Sequence, residues 1–270
     1  MVNSITTGRS FRIKGAGRFV FAATMIGVGI LGLIKGDFTV IWQPVPRGIP
    51  AREVLAYLCA FVSLFAGAGL LWRRTSAFAA VVLLTFLVVW FLLWRLRLFF
   101  VAPLIQSSWS CGETAVMAGA VCVLFAEFAA GWFRQRLGFA TGDKGVRLAT
   151  VLYGLGLIPF GYAHFANVKG TADLVPGWLP WHLFWAYLTG VTFIAAGLAI
   201  GIGLFARLAA SLSALQMGMF GLLVWVPIVV RGSINPFQLG EFITTLVLTA
   251  AAWVVSDFFR KKPWLAAGRL

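Results

Sequence analysis

Charge is what this chain has least of. Only 11% of its 270 residues are Asp, Glu, Lys or Arg, while 61% are hydrophobic. Soluble domains carry about 25% charged and about 45–50% apolar residues, so this composition excludes water as the main solvent and points to lipid. Acidic residues are scarcer still, 8 against 22 basic ones, for a net charge of +14. In a soluble protein that excess would suggest nucleic acid. Here the basic residues sit in short clusters between apolar runs, as loop charges that orient a membrane protein do, and no nucleic-acid partner is expected. The three cysteines, Cys59, Cys111 and Cys122, form no CxxC, which argues against a dithiol relay within the chain. Cys111 and Cys122 would lie about 16 Å apart on one helix, too far to join as a disulfide, so all three read as small buried hydrophobes. His164 and His182 are the only histidines, with no cysteine near either, and no metal site is expected. A P-loop, a dinucleotide fingerprint, HExxH and a nucleophile elbow are all missing.

What the sequence does have is long apolar runs. They place spans at 18–35, 54–72, 77–101, 110–130, 147–167, 183–203, 207–230 and 238–258, each near the ~20 residues that cross a hydrocarbon core. The fold expected is all-α and polytopic, with about eight spans. Twelve Trp and 25 Phe suit interfacial belts, and 30 Gly suit close helix crossings. The basic N-terminus, with Arg9, Arg12, Lys14 and Arg18 ahead of Phe19, could open a signal peptide. The run continues to Ile34 without a small-residue cleavage site, so a retained first span fits better. With the N-terminus cytoplasmic, 15 of the 22 basic residues fall on the cytoplasmic side and 7 on the other. That places both termini in the cytoplasm of a bacterial inner membrane. The third loop, with Arg95 and Arg97, runs against the charge rule.

The two halves echo one another. A shift of 129 carries Arg18, Gly27, Gly32 and Lys35 onto Arg147, Gly156, Gly161 and His164. A shift of 130 aligns residues 45–67 with 175–197 at 8 identities, including Pro46 with Pro176 and Ala56-Tyr57-Leu58 with Ala186-Tyr187-Leu188. A shift of 128 pairs Gly112-Glu113 with Gly240-Glu241. Four spans is an even number, so both halves would enter from one side as a parallel repeat. The expected organisation is a first half at 1–133, a cytoplasmic linker at 134–146 and a second half at 147–270. The proline- and tryptophan-rich loops at 41–50 and 174–182 are expected to lie in the interface as short rigid hairpins.

Polar residues inside spans are costly, and each is a functional candidate by default. Lys35 and His164 fall at the ends of equivalent helices; Glu113 and Glu241 open equivalent helices on the same outer side. These four make a candidate outer-side polar site, with Trp178, Trp181 and Tyr187 as candidate apolar walls. A purely structural reading stands beside it: snorkelling end charges, and glutamates favoured by the helix dipole in a first turn. His164 is the strongest single candidate, because Gly154, Gly156 and Pro159 weaken its helix and Pro159 frees the carbonyl of Leu155. Gln216, inside span 7, reads as an interhelical hydrogen bond.

Residues 147–258 resemble the DoxX/DoxD-like membrane family. The likeness rests on Arg147 opening a glycine-containing helix, on Gly161-Tyr162-Ala163-His164-Phe165, and on the hairpin Val175-Pro176-Gly177-Trp178-Leu179-Pro180. Gly190, Gly197-Leu198, the turn from Gly203 to Ala210 and Gly240-Glu241 complete it. The first half resembles the family through Arg18, Lys35, Pro50, Gly67, Arg74 and Gly112-Glu113. Relatives often carry an acidic residue three positions after the glycine matched by Gly190; Phe193 stands there in this chain, and Ser63 at the equivalent place in the first half. The resemblance implies a four-helix unit, here in tandem, and a non-catalytic subunit of an oxidoreductase. That subunit would support a thiosulfate or thiol–quinone system, with quinone as its cofactor and a membrane or soluble redox protein as its partner. Two other roles remain open: a transporter or small-molecule-binding protein, and a non-enzymatic assembly scaffold.

Overall fold

The computed structural model describes residues 15–232 and 234–267. The basic residues Arg9, Arg12, Lys14 and Arg269 invoked for orientation lie outside them. Eight helices are long and apolar enough to cross a membrane: α1 (Gly17–Lys35), α2 (Arg52–Leu71), α3 (Ser76–Val101), α4 (Leu104–Phe128), α5 (Asp143–Ala166), α6 (His182–Ile202), α7 (Ala206–Val230) and α8 (Pro236–Phe259). The chain is an all-α, multi-pass membrane protein. In lipid every backbone amide must find its partner inside the helix, and these uninterrupted apolar runs meet that demand. Gly36 and Gly203, both with positive φ, close α1 and α6. Asn235 and Gln238 exchange backbone and side-chain bonds in a capping box that opens α8.

Each helix packs against its neighbour in sequence, and α8 packs back against α1, so the eight close into a ring. One further contact, α4 against α8, crosses the ring and divides it. A first lobe, α8-α1-α2-α3-α4, and a second, α4-α5-α6-α7-α8, share the two central helices. Two close crossings are made by paired glycines. A Cβ on Gly112 would meet the carbonyl oxygen of Gly156 at 2.7 Å, and one on Gly156 would meet that of Gly112 at 2.8 Å. Gly154 and Gly197 face each other in the same way between α5 and α6. Backbones this close gain dispersion contacts that larger side chains would prevent.

Two backbone devices recur 130 positions apart. Ala51 and Trp181, with φ of 53° and 60°, precede α2 and α6. A π turn interrupts α3 at Phe91–Arg95 and α7 at Gly221–Trp225.

The interiors of the lobes differ. In the first, the loop after α1 does not lie in the interface as the sequence suggests. A 3-10 turn, Val40–Trp42, carries Trp42 inward until it is 1% exposed. Its indole N–H donates to Ser63 Oγ at 2.9 Å, and its ring meets Trp90 edge-on at 5.7 Å and Phe86 at 6.5 Å. Trp90 in turn donates to the Trp42 carbonyl at 2.7 Å. A buried indole needs such a partner for its N–H, and Ser63 supplies it. In the second lobe the corresponding loop stays outside, with Trp178 71% and Trp181 77% exposed.

Two more expectations need correcting. Arg95 is not a loop charge: it ends the π turn inside α3 and is 2% exposed. Glu113 and Glu241 do not open their helices, because α4 starts at Leu104 and α8 at Pro236. Both carboxylates lie beyond the first turn, where the helix dipole no longer accounts for them.

Candidate functional site

The second lobe carries a half-open cavity of about 1750 Å³, walled chiefly by α4 to α8, reached by the ends of α1 and α3 and rimmed by the loops after α1 and α5; Leu212, Leu215 and Phe237 on its wall are exposed. Of the residues singled out in the sequence, Lys35, Glu113, His164, Glu241 and Trp178 line it. Tyr187 and Trp181 are not on its wall. The Tyr187 ring stacks outward on Phe165 at 6.1 Å, and Trp181 projects from the left-handed residue before α6.

Glu113 is neutralised from within. Arg95 Nη1 lies 2.8 Å from its carboxylate, the two side chains being 3% and 13% exposed. The same guanidinium donates to the carbonyl of Ser110 and, at 3.0 Å, to that of Ile41. It thereby ties α3, α4 and the Trp42 turn together. A planar fork of donors suits this three-way role. Glu241 faces the same cavity from α8, and Glu113 is its charged neighbour. Among the described residues neither of the two ion pairs includes Glu241: they are Arg95–Glu113 and Arg52–Asp37.

His164 is buried, 8% exposed, in the last turn of α5. Its Nδ1 is 2.7 Å from the carbonyl oxygen of Phe160. A carbonyl can only accept, so Nδ1 carries the hydrogen; in the neutral ring Nε2 is then the acceptor. The ring stacks on Phe220 at 5.8 Å and leans on Phe193 at 5.4 Å. Helix α5 runs unbroken through Pro159.

A polar strip that the sequence reading passed over lies deeper in the cavity wall. Thr192 Oγ1 donates to Gln216 Oε1 at 2.5 Å, and Gln216 Nε2 donates to the Thr189 carbonyl at 3.1 Å. Gln216 therefore does join α7 to α6, and it also lines the cavity. Ser213, one turn below, pairs with the Tyr153 hydroxyl at 2.8 Å. At the matching positions of the first half, 130 residues earlier, stand Cys59, Val62, Phe86 and Leu83. The signal was the spacing of Thr189 with Thr192 and of Ser213 with Gln216, each pair on one helical face.

At the rim, outside the spans, Asp37 pairs with Arg52 at 2.6 Å. Partial burial pushes its carboxyl up. The bonds from Arg52 and the Phe38 amide, with the charges of Arg52 and Arg47, outweigh that and hold it below the usual carboxylate range.

The site thus offers a large apolar cleft, an aromatic cluster around an imidazole, a hydroxyl-amide strip and two carboxylates, of which Glu113 pairs with a built-in cation. Among the described residues no group of three or more His, Cys, Asp or Glu side chains is arranged to hold a metal. Comparison of the chain with protein-family models, curated proteins and solved structures gives no match.

Proposed function

We propose that this chain is a DoxX-like membrane protein, built as two four-span halves, that binds a small membrane-soluble amphiphile in the hollow second lobe. The observation that carries this reading is the 1750 Å³ cavity. An apolar chamber with a few convergent polar groups is the usual form of a small-molecule site. A sealed interior in both lobes would have favoured a scaffold. The recurrence at 130 residues of the left-handed residues and of the π turns supports a duplicated four-span unit.

Within this reading, the family resemblance suggests a subunit of a thiol- or thiosulfate–quinone system, with a quinone ring near His164 and a partner supplying the electron transfer. Binding or transport of another amphiphile needs only the cavity itself. The charge distribution supports a bacterial inner-membrane setting with both termini cytoplasmic. Moving Arg95 from loop to helix interior lowers the outer-side basic residues from 7 to 6, so the charge rule is better obeyed.

The test is native mass spectrometry and an absorbance spectrum of the detergent-purified protein, beside His164→Ala. A retained or added amphiphile, such as decylubiquinone, that binds the wild type and is weakened in His164→Ala is the expected result. A quinone spectrum would specify the redox role. A protein that neither retains nor takes up any amphiphile would overturn the reading.

A further inference from the structure

We propose that the second lobe binds an organic cation, its charge resting on Glu241 and its apolar body filling the cavity; this rests on the reading of that cavity as a ligand site.

The first lobe serves as the template. Helices α4 and α8 carry the same pattern, Trp109-Ser110-Cys111-Gly112-Glu113 and Phe237-Gln238-Leu239-Gly240-Glu241. In each, an aromatic residue stands one turn ahead of a glutamate, and all four side chains line the cavity. In the first half a cation completes the pattern: Arg95, the last residue of the π turn in α3, lies against Glu113. The last residue of the π turn in α7 is Trp225. Where the first half supplies a guanidinium, the second supplies an indole.

Trp225 and Glu241 both line the cavity, and Trp225 is tied to α8 one turn beyond Glu241. Its N–H donates to Thr245 Oγ1 at 3.0 Å, and that hydroxyl donates to the Glu241 carbonyl at 2.8 Å. An aromatic side chain and a carboxylate on the wall of one cavity are a favourable setting for a cation with a hydrophobic coat. The other charges on the cavity wall do not compete equally. Arg95 is engaged by Glu113, and Asp37 by Arg52. Lys35 is exposed at the end of α1, free to extend its ammonium toward water.

The body of the ligand follows from the same comparison. In the first lobe the space beside Phe86 and Trp90 is filled by the Trp42 indole. Their counterparts 130 residues on, Gln216 and Phe220, border the open cavity instead. The hollow exceeds the roughly 300–1,000 Å³ of a usual drug-sized pocket. It suits a bulky aromatic cation and is far larger than a metal ion requires. An anion is disfavoured, because the one buried cation on the wall, Arg95, is already taken up by Glu113.

The experiment is saturable binding of radiolabelled tetraphenylphosphonium to the full detergent-purified chain, with unlabelled tetraphenylphosphonium, neutral triphenylphosphine oxide and decylubiquinone as competitors. Wild type is expected to bind the cation. Affinity should fall about tenfold or more in Glu241→Gln, where the charge partner is lost, and return in part in Glu241→Asp. Trp225→Arg, which installs the cation of the first lobe, should weaken binding as much. Equal affinity in wild type and Glu241→Gln would overturn the proposal. If Glu241→Gln does not fold, displacement by the neutral oxide as effective as by the cation overturns it on wild type alone. Decylubiquinone binding in native mass spectrometry without tetraphenylphosphonium binding sinks the cation and leaves the ligand cavity standing; binding of neither sinks both.

Discussion

Replacing Arg95 with methionine keeps an unbranched apolar stem and removes the guanidinium and its charge. The guanidinium has three partners, the Glu113 carboxylate and the carbonyls of Ser110 and Ile41, and is almost fully buried. Its loss strands Glu113, itself only 13% exposed, in a low-dielectric interior. Removing one member of a buried ion pair costs about 3–5 kcal/mol, most of it the penalty on the charge left behind. That origin makes the claim specific. The double variant Arg95→Met/Glu113→Gln has no stranded charge, and should recover to within about 1–2 kcal/mol of wild type. Equilibrium unfolding in mixed micelles with rising SDS would measure both. Because Arg95 also holds the Ile41 carbonyl, the single variant should shift tryptophan emission as Trp42 loosens. A single variant that loses less than about 1 kcal/mol, or a double variant whose loss equals the sum of the two singles, would refute an energetically coupled pair.

Trp42→Ala should destabilise the first lobe by about 3–5 kcal/mol, as for other large buried aromatics, and Trp42→Phe by about 1 kcal/mol through the lost bond to Ser63; the same unfolding assay separates them. Gly156→Val should weaken the α4–α5 crossing, where a Cβ already meets backbone at 2.8 Å, and lower the melting temperature more than Gly48→Val, which faces open space. The folded-state carboxyl of Asp37 is depressed, so its stabilising contribution is complete above the unfolded value of about 3.9 and fades as pH falls through the folded one. With Asp37 half exposed, that contribution is under about 1 kcal/mol, and Arg52→Gln should abolish the acid-side loss. For orientation, Thr171→Cys in a chain with its native cysteines replaced should react with an impermeant thiol reagent on intact cells, and Gln135→Cys only after permeabilisation; the reverse pattern would invert the topology.

The spans were legible because their apolar runs leave no alternative in lipid. The start of α4 was not: Gln106, Ser107 and Ser108 read as loop ahead of a span beginning at 110. In the fold Ser107 and Ser108 return their hydroxyls to carbonyls of the helix, which removes the penalty that made the stretch look unfit. Arg95 looked like a misplaced loop charge because sequence shows a charge and not its partner, which lies 18 residues on in the next helix. Lys35, Glu113, His164 and Glu241 were found as isolated costly residues, and the fold brings all four to one cavity. Thr189, Thr192 and Ser213 were passed over because a hydroxyl bonded to its own helix costs little in a span. Their gathering into a strip depends on how α6 meets α7. The inward turn of Trp42 had no local signal either, since a tryptophan in a proline-rich loop also suits the interface.

The π turns have a further consequence, in the phase of the helices that contain them. An α-helix advances about 100° per residue, and a π turn holds one residue more than the α-helical repeat needs. Beyond it, every side chain is rotated relative to the register set by the inner turns. Arg95 and Trp225 close these turns and take their inward aim from the reset. Removing one residue from Phe91–Trp94 would swing position 95 toward lipid without touching the polar residues it meets. The same stagger in α7 brings an indole to the matching place, so one side chain at one reset position separates a lobe that completes its own ion pair from a lobe that does not.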